Sequence, residues 1–141
     1  MKRKQTLRGL KKKAWKILSE YVRRKDADEG GTTQCYTCGR YLHWKYEAQA
    51  GHAIPGRHNA VLLDESLCRP QCLKCNFKGY GFGSGMHHVF TAKLIKENGM
   101  EWWDKKEAES RSVVKLTHAD VEDFILEYQS KLAALDLKRA A

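Results

Sequence analysis

The sequence predicts an α+β fold, in which a small core of short strands is clasped by a four-cysteine zinc site and flanked by helices. Three observations predict it. Cys35/Cys38 and Cys72/Cys75 are two Cys-x-x-Cys pairs, and four thiolates close one tetrahedral zinc site. Outside the pairs, apolar residues recur three or four apart, the period of an amphipathic helix. Between them, aromatic and turn-forming residues favour short extended pieces. At 141 residues the chain suits one domain with three parts: a basic N-terminal helix or arm (1–30), a zinc-clasped core (31–100) and a C-terminal helical segment (101–141).

The first helix should run from about Thr6 to Arg24. Leu7, Leu10, Ala14, Ile17/Leu18 and Tyr21/Val22 form its apolar stripe, with lysines on the other faces. Asp26 to Gly31 stops it. Gln34 to Ile54 should hold the first knuckle and short strands built on Tyr36, Tyr41, Trp44 and Tyr46. Pro55-Gly56-Arg57-His58-Asn59 reads as an exposed loop. Ala60–Leu63 and Ser66–Arg69 are expected to return as a second strand before Pro70 and the second knuckle.

The glycine-rich bend Gly79–Gly85 lacks the Lys-Ser/Thr of a nucleotide phosphate loop. Met86–Asn98 has helical spacing and Gly99 is a natural stop. Thr117-His118-Ala119-Asp120 resembles a capping box that opens a last helix through about Leu135. Its stripe Val121, Phe124/Ile125, Tyr128 and Leu132/Leu135 should pack on the core or on another subunit. Trp102 and Trp103 are expected between helices, and Cys68 as a small buried side chain.

The formal charge of +9 is concentrated. Residues 1–25 hold eleven Lys/Arg and one acid, Glu20, so the rest of the chain is close to neutral. Lys2, Arg3, Lys4, Arg8, Lys11, Lys12, Lys13 and Lys16 thus form an electrostatic grip on a polyanion, expected to be DNA. No apolar run has membrane-spanning length, and Met1-Lys2-Arg3-Lys4 is not followed by a signal-peptide pattern. The expectation is a cytoplasmic protein without a membrane partner, whose thiols hold zinc and not disulfides.

Chemistry concentrates between and just after the knuckles. Hydrolysis of a phosphodiester needs a base for water and positive charge for the crowded phosphorane. His52 offers a neutral imidazole near physiological pH. Asn76, directly after Cys75, offers an amide oxygen to Mg²⁺ or Mn²⁺, a hard cation that keeps several waters. Zinc closed by four sulfurs has no open position and is structural. Alternatively, Asn76 simply caps a helix and His52 is structural. The catalytic reading requires these two side chains to converge on one linkage. His87 and His88 are expected to be exposed or packing residues, and His43 and His118 have no motif around them.

Gly51-His52-Ala53-Ile54-Pro55-Gly56-Arg57-His58-Asn59, then Asp64-Glu65, then Pro70-Gln71-Cys72-Leu73-Lys74-Cys75-Asn76 resembles the phage NinG (Rap) recombination-nuclease family. Arg24-Lys25-Asp26-Ala27-Asp28 ahead of the first knuckle is similar too, and the likeness covers roughly residues 20–100. More distantly the chain resembles the HNH, or His-Me finger, nucleases, including phage endonuclease VII with its four-cysteine clasp. The resemblance implies a ββα-metal core, with His52 ending the first strand and Asn76 on the helix. It implies His52 as general base, Asn76 as ligand of the catalytic metal, and Arg57 as a phosphate contact. Asp64, Glu65 or His58 would complete that metal site, unless water and DNA do. Gly51 stands where many HNH enzymes carry a metal-binding Asp, and Leu67 and Arg69 stand where related sequences often carry Asn and His or Asn. The middle Asn is thus missing from its usual place before the second knuckle, and Asn59 is a candidate to stand in for it.

The function expected from these residues is a metal-dependent endonuclease for branched DNA such as Holliday junctions, acting as a homodimer because paired cuts need symmetry. If phage-encoded, it would work in the host cytoplasm. The alternatives are a sequence-reading HNH nickase or homing-type endonuclease, and a zinc module that binds DNA without cutting it.

Overall fold

The computed structural model describes residues 3–54, 59–76 and 86–140. Lys2, Arg57, His58 and the bend Gly79–Gly85 lie outside the described residues.

Helix α1 spans Leu7–Arg24. Thr6 caps it, its Oγ1 accepting the Gly9 N–H at 3.1 Å. The stripe Leu10, Ala14, Leu18 and Val22 is buried. It meets α6, His118–Ala140, through Val121, Ile125 and Tyr128. The start of α6 is a reciprocal capping box: Asp120 N–H donates to Thr117 Oγ1 at 3.1 Å, and Thr117 N–H donates to Asp120 Oδ2 at 2.9 Å. The chain termini are therefore one helical layer, and α1 is built into the core. Arg24 locks the far end by pairing with Glu20 and Asp136, while its guanidinium lies 5.0 Å from the Trp44 ring centroid.

On this layer lie two antiparallel ribbons. Strands β1, Thr32–Gln34, and β2, Tyr41–His43, bracket the first knuckle in the register Thr33↔Leu42. Strands β3, Ala48–His52, and β4, Cys68–Cys72, pair from Ala48↔Cys72 to His52↔Cys68. Helix α3, Leu73–Asn76, follows β4 at once. A two-stranded ribbon has only edges, which is why Pro70, with no N–H, is tolerated opposite Ala50. Cys68 is fully buried against Leu18, Val22 and Tyr128, and burial pushes its thiol up to about 12. The small apolar role expected of it is the one it has.

Between β3 and β4 the structure corrects one expectation. Residues 60–63 are not strand: α2 spans Asn59–Leu62, followed by a 3-10 turn at Glu65–Leu67. Within this helix the neighbours Val61 and Leu62 are both buried. The strand starts only at Cys68. Val61 and Leu67 join Ala53, Phe90, Leu94 and Trp103 in a second core, supplied by α4, His87–Asn98, and α5, Met100–Ser110. Gly99, at φ +93°, is the corner between those two helices. No described helix is long and apolar enough to cross a membrane.

Candidate functional site

The cysteines come together from β1's exit, β4 and α3. The sulfurs of Cys35, Cys38, Cys72 and Cys75 all lie within 4.8 Å of one another, and Cys38 Sγ is 3.8 Å from Cys72 Sγ. A tetrahedron with metal–sulfur arms of about 2.3 Å has edges of about 3.8 Å, so this cluster fits zinc. Its electrostatics point the same way. Burial opposes ionisation of Cys35, but hydrogen bonds from Thr37 and from the backbone of Cys38 and Cys72 outweigh it and bring the thiol down to about 6. Burial, then Cys72 and the Cys35 charge, push Cys75 up to about 12. A dication relieves this conflict by stabilising all four thiolates together.

The clasp ties the base of the β3–β4 ribbon, with Ala48 packed among the ligands. Strand alternation then decides where each candidate points. Ala50 and His52 face α1, and Gln49 and Gly51 face α3. His52 ends β3, where its imidazole stacks on Trp15 of α1 with ring centroids 4.2 Å apart and planes inclined by 22°. Its Nε2 lies 3.4 Å from the Leu62 carbonyl oxygen. Asn76 ends α3 and donates through Nδ2 to Gln49 Oε1 at 2.8 Å. Its Oδ1 lies 3.1 Å from the point where a Cβ on Gly51 would sit.

Asn76 is thus brought to Gly51. Imidazole and carboxamide therefore stand beside consecutive residues at the end of β3, the His52 ring against Trp15 and the Asn76 oxygen against Gly51.

Asp64 and Glu65 serve other purposes. Asp64 Oδ1 accepts from Ser66 N–H at 3.0 Å, and Oδ2 pairs with Lys106 Nζ at 2.7 Å. Glu65 faces Lys25 at 4.0 Å and raises the Tyr128 hydroxyl by its charge, after burial. Asn59 Oδ1 accepts from Lys11 Nζ at 2.9 Å, and its Nδ2 donates to the Val114 carbonyl at 3.0 Å, so it pins α1 and the 111–117 segment to the start of α2. His43 stacks between Trp44 and Tyr46 in the β2 turn. His88 and His118 are exposed and His87 is half-buried. Of the basic set, Arg3, Lys4, Arg8, Lys12, Lys13 and Lys16 are exposed and Lys11 is half-buried.

Two residues next to the site have no motif to announce them. Trp15 is the only tryptophan in the basic segment, and Lys11 one turn earlier shares its helix face. Gln71 is 3% exposed, and a Cβ on Gly51 would collide with its Oε1. Alternation from Cys72 places Gln71 on the Asn76 side, and the cross-strand register pairs it with Gln49 and sets it diagonal to Gly51, where its Oε1 fills the space a Cβ would take.

A family model described as the bacteriophage lambda NinG protein matches residues 1–138, so the likeness carried by the motifs extends over both terminal helices. Comparison with curated proteins and with solved structures finds no match. By that near-complete span, the chain belongs to the NinG family of phage proteins.

Proposed function

We propose that this protein is a metal-dependent endonuclease for branched DNA, of the Holliday-junction type, in which His52 activates water. The order strand, long connection, strand, helix between and after the cysteine pairs supports a ββα-metal reading of residues 48–76. The four sulfurs would hold a structural zinc, and the carboxamide oxygen of Asn76 suits Mg²⁺ or Mn²⁺.

The carrying observation is the stack of His52 on Trp15. It puts the imidazole beside the helix that bears most of the chain's excess positive charge. A DNA backbone held by Arg8, Lys12, Lys13 and Lys16 therefore passes the end of β3. The Leu62 carbonyl fixes the ring's orientation, as a general base requires. Because the His52 ring and the Asn76 oxygen stand beside consecutive residues at the end of β3, the scissile phosphate in this reading lies at that end of the ribbon. There His52 takes the proton of the attacking water, whose oxygen adds to phosphorus in line as the P–O3′ bond breaks; the departing 3′ oxygen takes a proton from solvent, which leaves 5′-phosphate and 3′-hydroxyl ends. Asn76 would hold a divalent cation there, and that ion would supply Lewis-acid stabilisation of negative charge on the phosphate.

Dimerisation belongs to this reading, since a junction needs two opposed cuts. The apolar stripes of α1 and α6 face each other within one chain, so the contact between copies must use other surfaces.

The test is cleavage of four-way junction, flap, single-stranded and linear duplex DNA with and without Mg²⁺. His52→Ala should bind junctions like the parent and cut them slower by a factor on the order of 10²–10⁴. Equal cutting removes the base assignment. The engagement of His52 with Trp15 and of Asn76 with Gln49 favours one other reading, a zinc module that binds DNA without chemistry. Mg²⁺-independent binding with no cleavage of any substrate selects it.

A further inference from the structure

Gly51 has no side chain, and the space under it is filled from the neighbouring strand. Gln71 Oε1 stands where a Cβ would be, and Asn76 Oδ1 lies within 3.1 Å of the same point. Both amides are held from behind. Gln71 Nε2 donates to Thr37 Oγ1 at 3.2 Å, and that hydroxyl is 3.4 Å from Cys35 Sγ, so the zinc knuckle orients Gln71. Asn76 Nδ2 donates to Gln49 Oε1 at 2.8 Å. With their donor ends tied, the two carboxamides turn their acceptor ends toward one place. Two lone-pair faces so arranged repel, and a cation between them reverses the sign of that interaction.

We propose that Gln71 and Asn76 form a two-carboxamide cation site beneath Gly51, which takes Mg²⁺ or Mn²⁺ only together with a DNA phosphate. The proposal rests on the nuclease reading for its phosphate, and it adds Gln71 as the second oxygen ligand. Hard cations take carboxamide oxygens readily, but affinity follows the number of charged ligands. Two neutral oxygens hold such an ion weakly; the anionic phosphate supplies the missing charge. Gly51 is then a requirement of the site, since any Cβ there displaces the Gln71 oxygen.

The experiment measures Mn²⁺ binding to the zinc-loaded full chain by loss of the free-ion EPR signal, alone and saturated with four-way junction. His52→Ala is the background, so that the DNA stays intact. The expected result is millimolar binding by protein alone and at least tenfold tighter binding in the DNA complex. Gln71→Leu should abolish the DNA-dependent gain. Gln71→Glu keeps the shape, adds a charge, and should bind Mn²⁺ at least tenfold tighter without DNA; it decides the matter if Gln71→Leu does not fold. Parent-like Mn²⁺ binding by Gln71→Glu, or by a folded Gln71→Leu of unchanged zinc content, overturns the site. Mg²⁺-dependent cleavage by the otherwise native chain that survives Gln71→Leu unchanged sinks the cation site and leaves the nuclease. The Mn²⁺ pattern in a protein that cuts nothing supports the site and sinks the nuclease.

Discussion

Trp15 of α1 and His52 of β3 lie face to face, 4.2 Å between ring centroids, and this contact joins the basic helix to the imidazole. In the proposed nuclease, the helix that would grip DNA and the imidazole that would act on it are thereby held together. Trp15→Ala should leave junction affinity within about threefold, because no positive charge is lost. It should slow single-turnover cleavage by about 10- to 100-fold, the scale of a small misplacement of a reacting group. Trp15→Phe, which keeps a ring under the imidazole, should recover most of the rate. Equal rates for all three proteins would show that the stack does not position His52.

The exposed cations of α1 should be visible in the salt dependence of binding. Replacing Lys12, Lys13 and Lys16 together by Gln removes up to three phosphate contacts. The slope of log affinity against log salt should then become shallower by up to about 2.7, near 0.9 per contact. Lys11→Gln is expected to act differently, since Lys11 Nζ is engaged with Asn59 Oδ1. Its main effect should be a lowered melting temperature. Fluorescence anisotropy across a salt series, with thermal melts, separates the two.

Zinc should depend on four cysteines and be indifferent to the fifth. Cys72→Ser should lose stoichiometric zinc by atomic absorption and lose near-UV dichroism, because β4 and α3 are anchored through that ligand. Cys68→Ala should keep one zinc per chain and cost about 1 kcal/mol, as a small truncation in the α1–α6 core. Zinc lost from Cys68→Ala would mean a different ligand set.

Asp64 pairs with Lys106 with both side chains largely buried, 19% and 18% exposed. Asp64→Asn should cost about 1.5–3 kcal/mol, the range for a hydrogen bond to a charged group, and leave the Mg²⁺ dependence of cleavage unchanged. A ligand of the catalytic ion would show the reverse pattern. For Lys106, burial opposes the charge but the hydrogen bond and attraction of Asp64 win, so its pKa is raised above 10.5. A raised folded-state value stabilises fully below the unfolded value and is lost as pH climbs through the folded one. The Asp64→Asn deficit should therefore be constant through neutral pH and shrink in strong alkali, as melts in urea at stepped pH would read.

Much of this protein is written in local pattern. The cysteine spacing specifies the clasp, the three-four periodicity specifies α1 and α6, and Thr117 with Asp120 specifies where α6 begins. Each is a property of residues a few positions apart, or of a metal's demand for four sulfurs. Residues 60–63 escaped the same logic because four apolar or small residues carry no period, and α5's side of the core decided for helix.

Sequence alone thus determined the zinc clasp, the helical ends, the location of the positive charge and the membership of His52 and Asn76 in one neighbourhood. Only the tertiary structure decided which way those two side chains point, that Trp15 lies under the imidazole, and that Gln71 fills the gap left by Gly51. The physical reason is strand alternation combined with cross-strand register. A step of one residue sends a side chain to the opposite face, and which distant residue meets it there depends on pairing between segments nearly twenty positions apart, which no local spacing encodes.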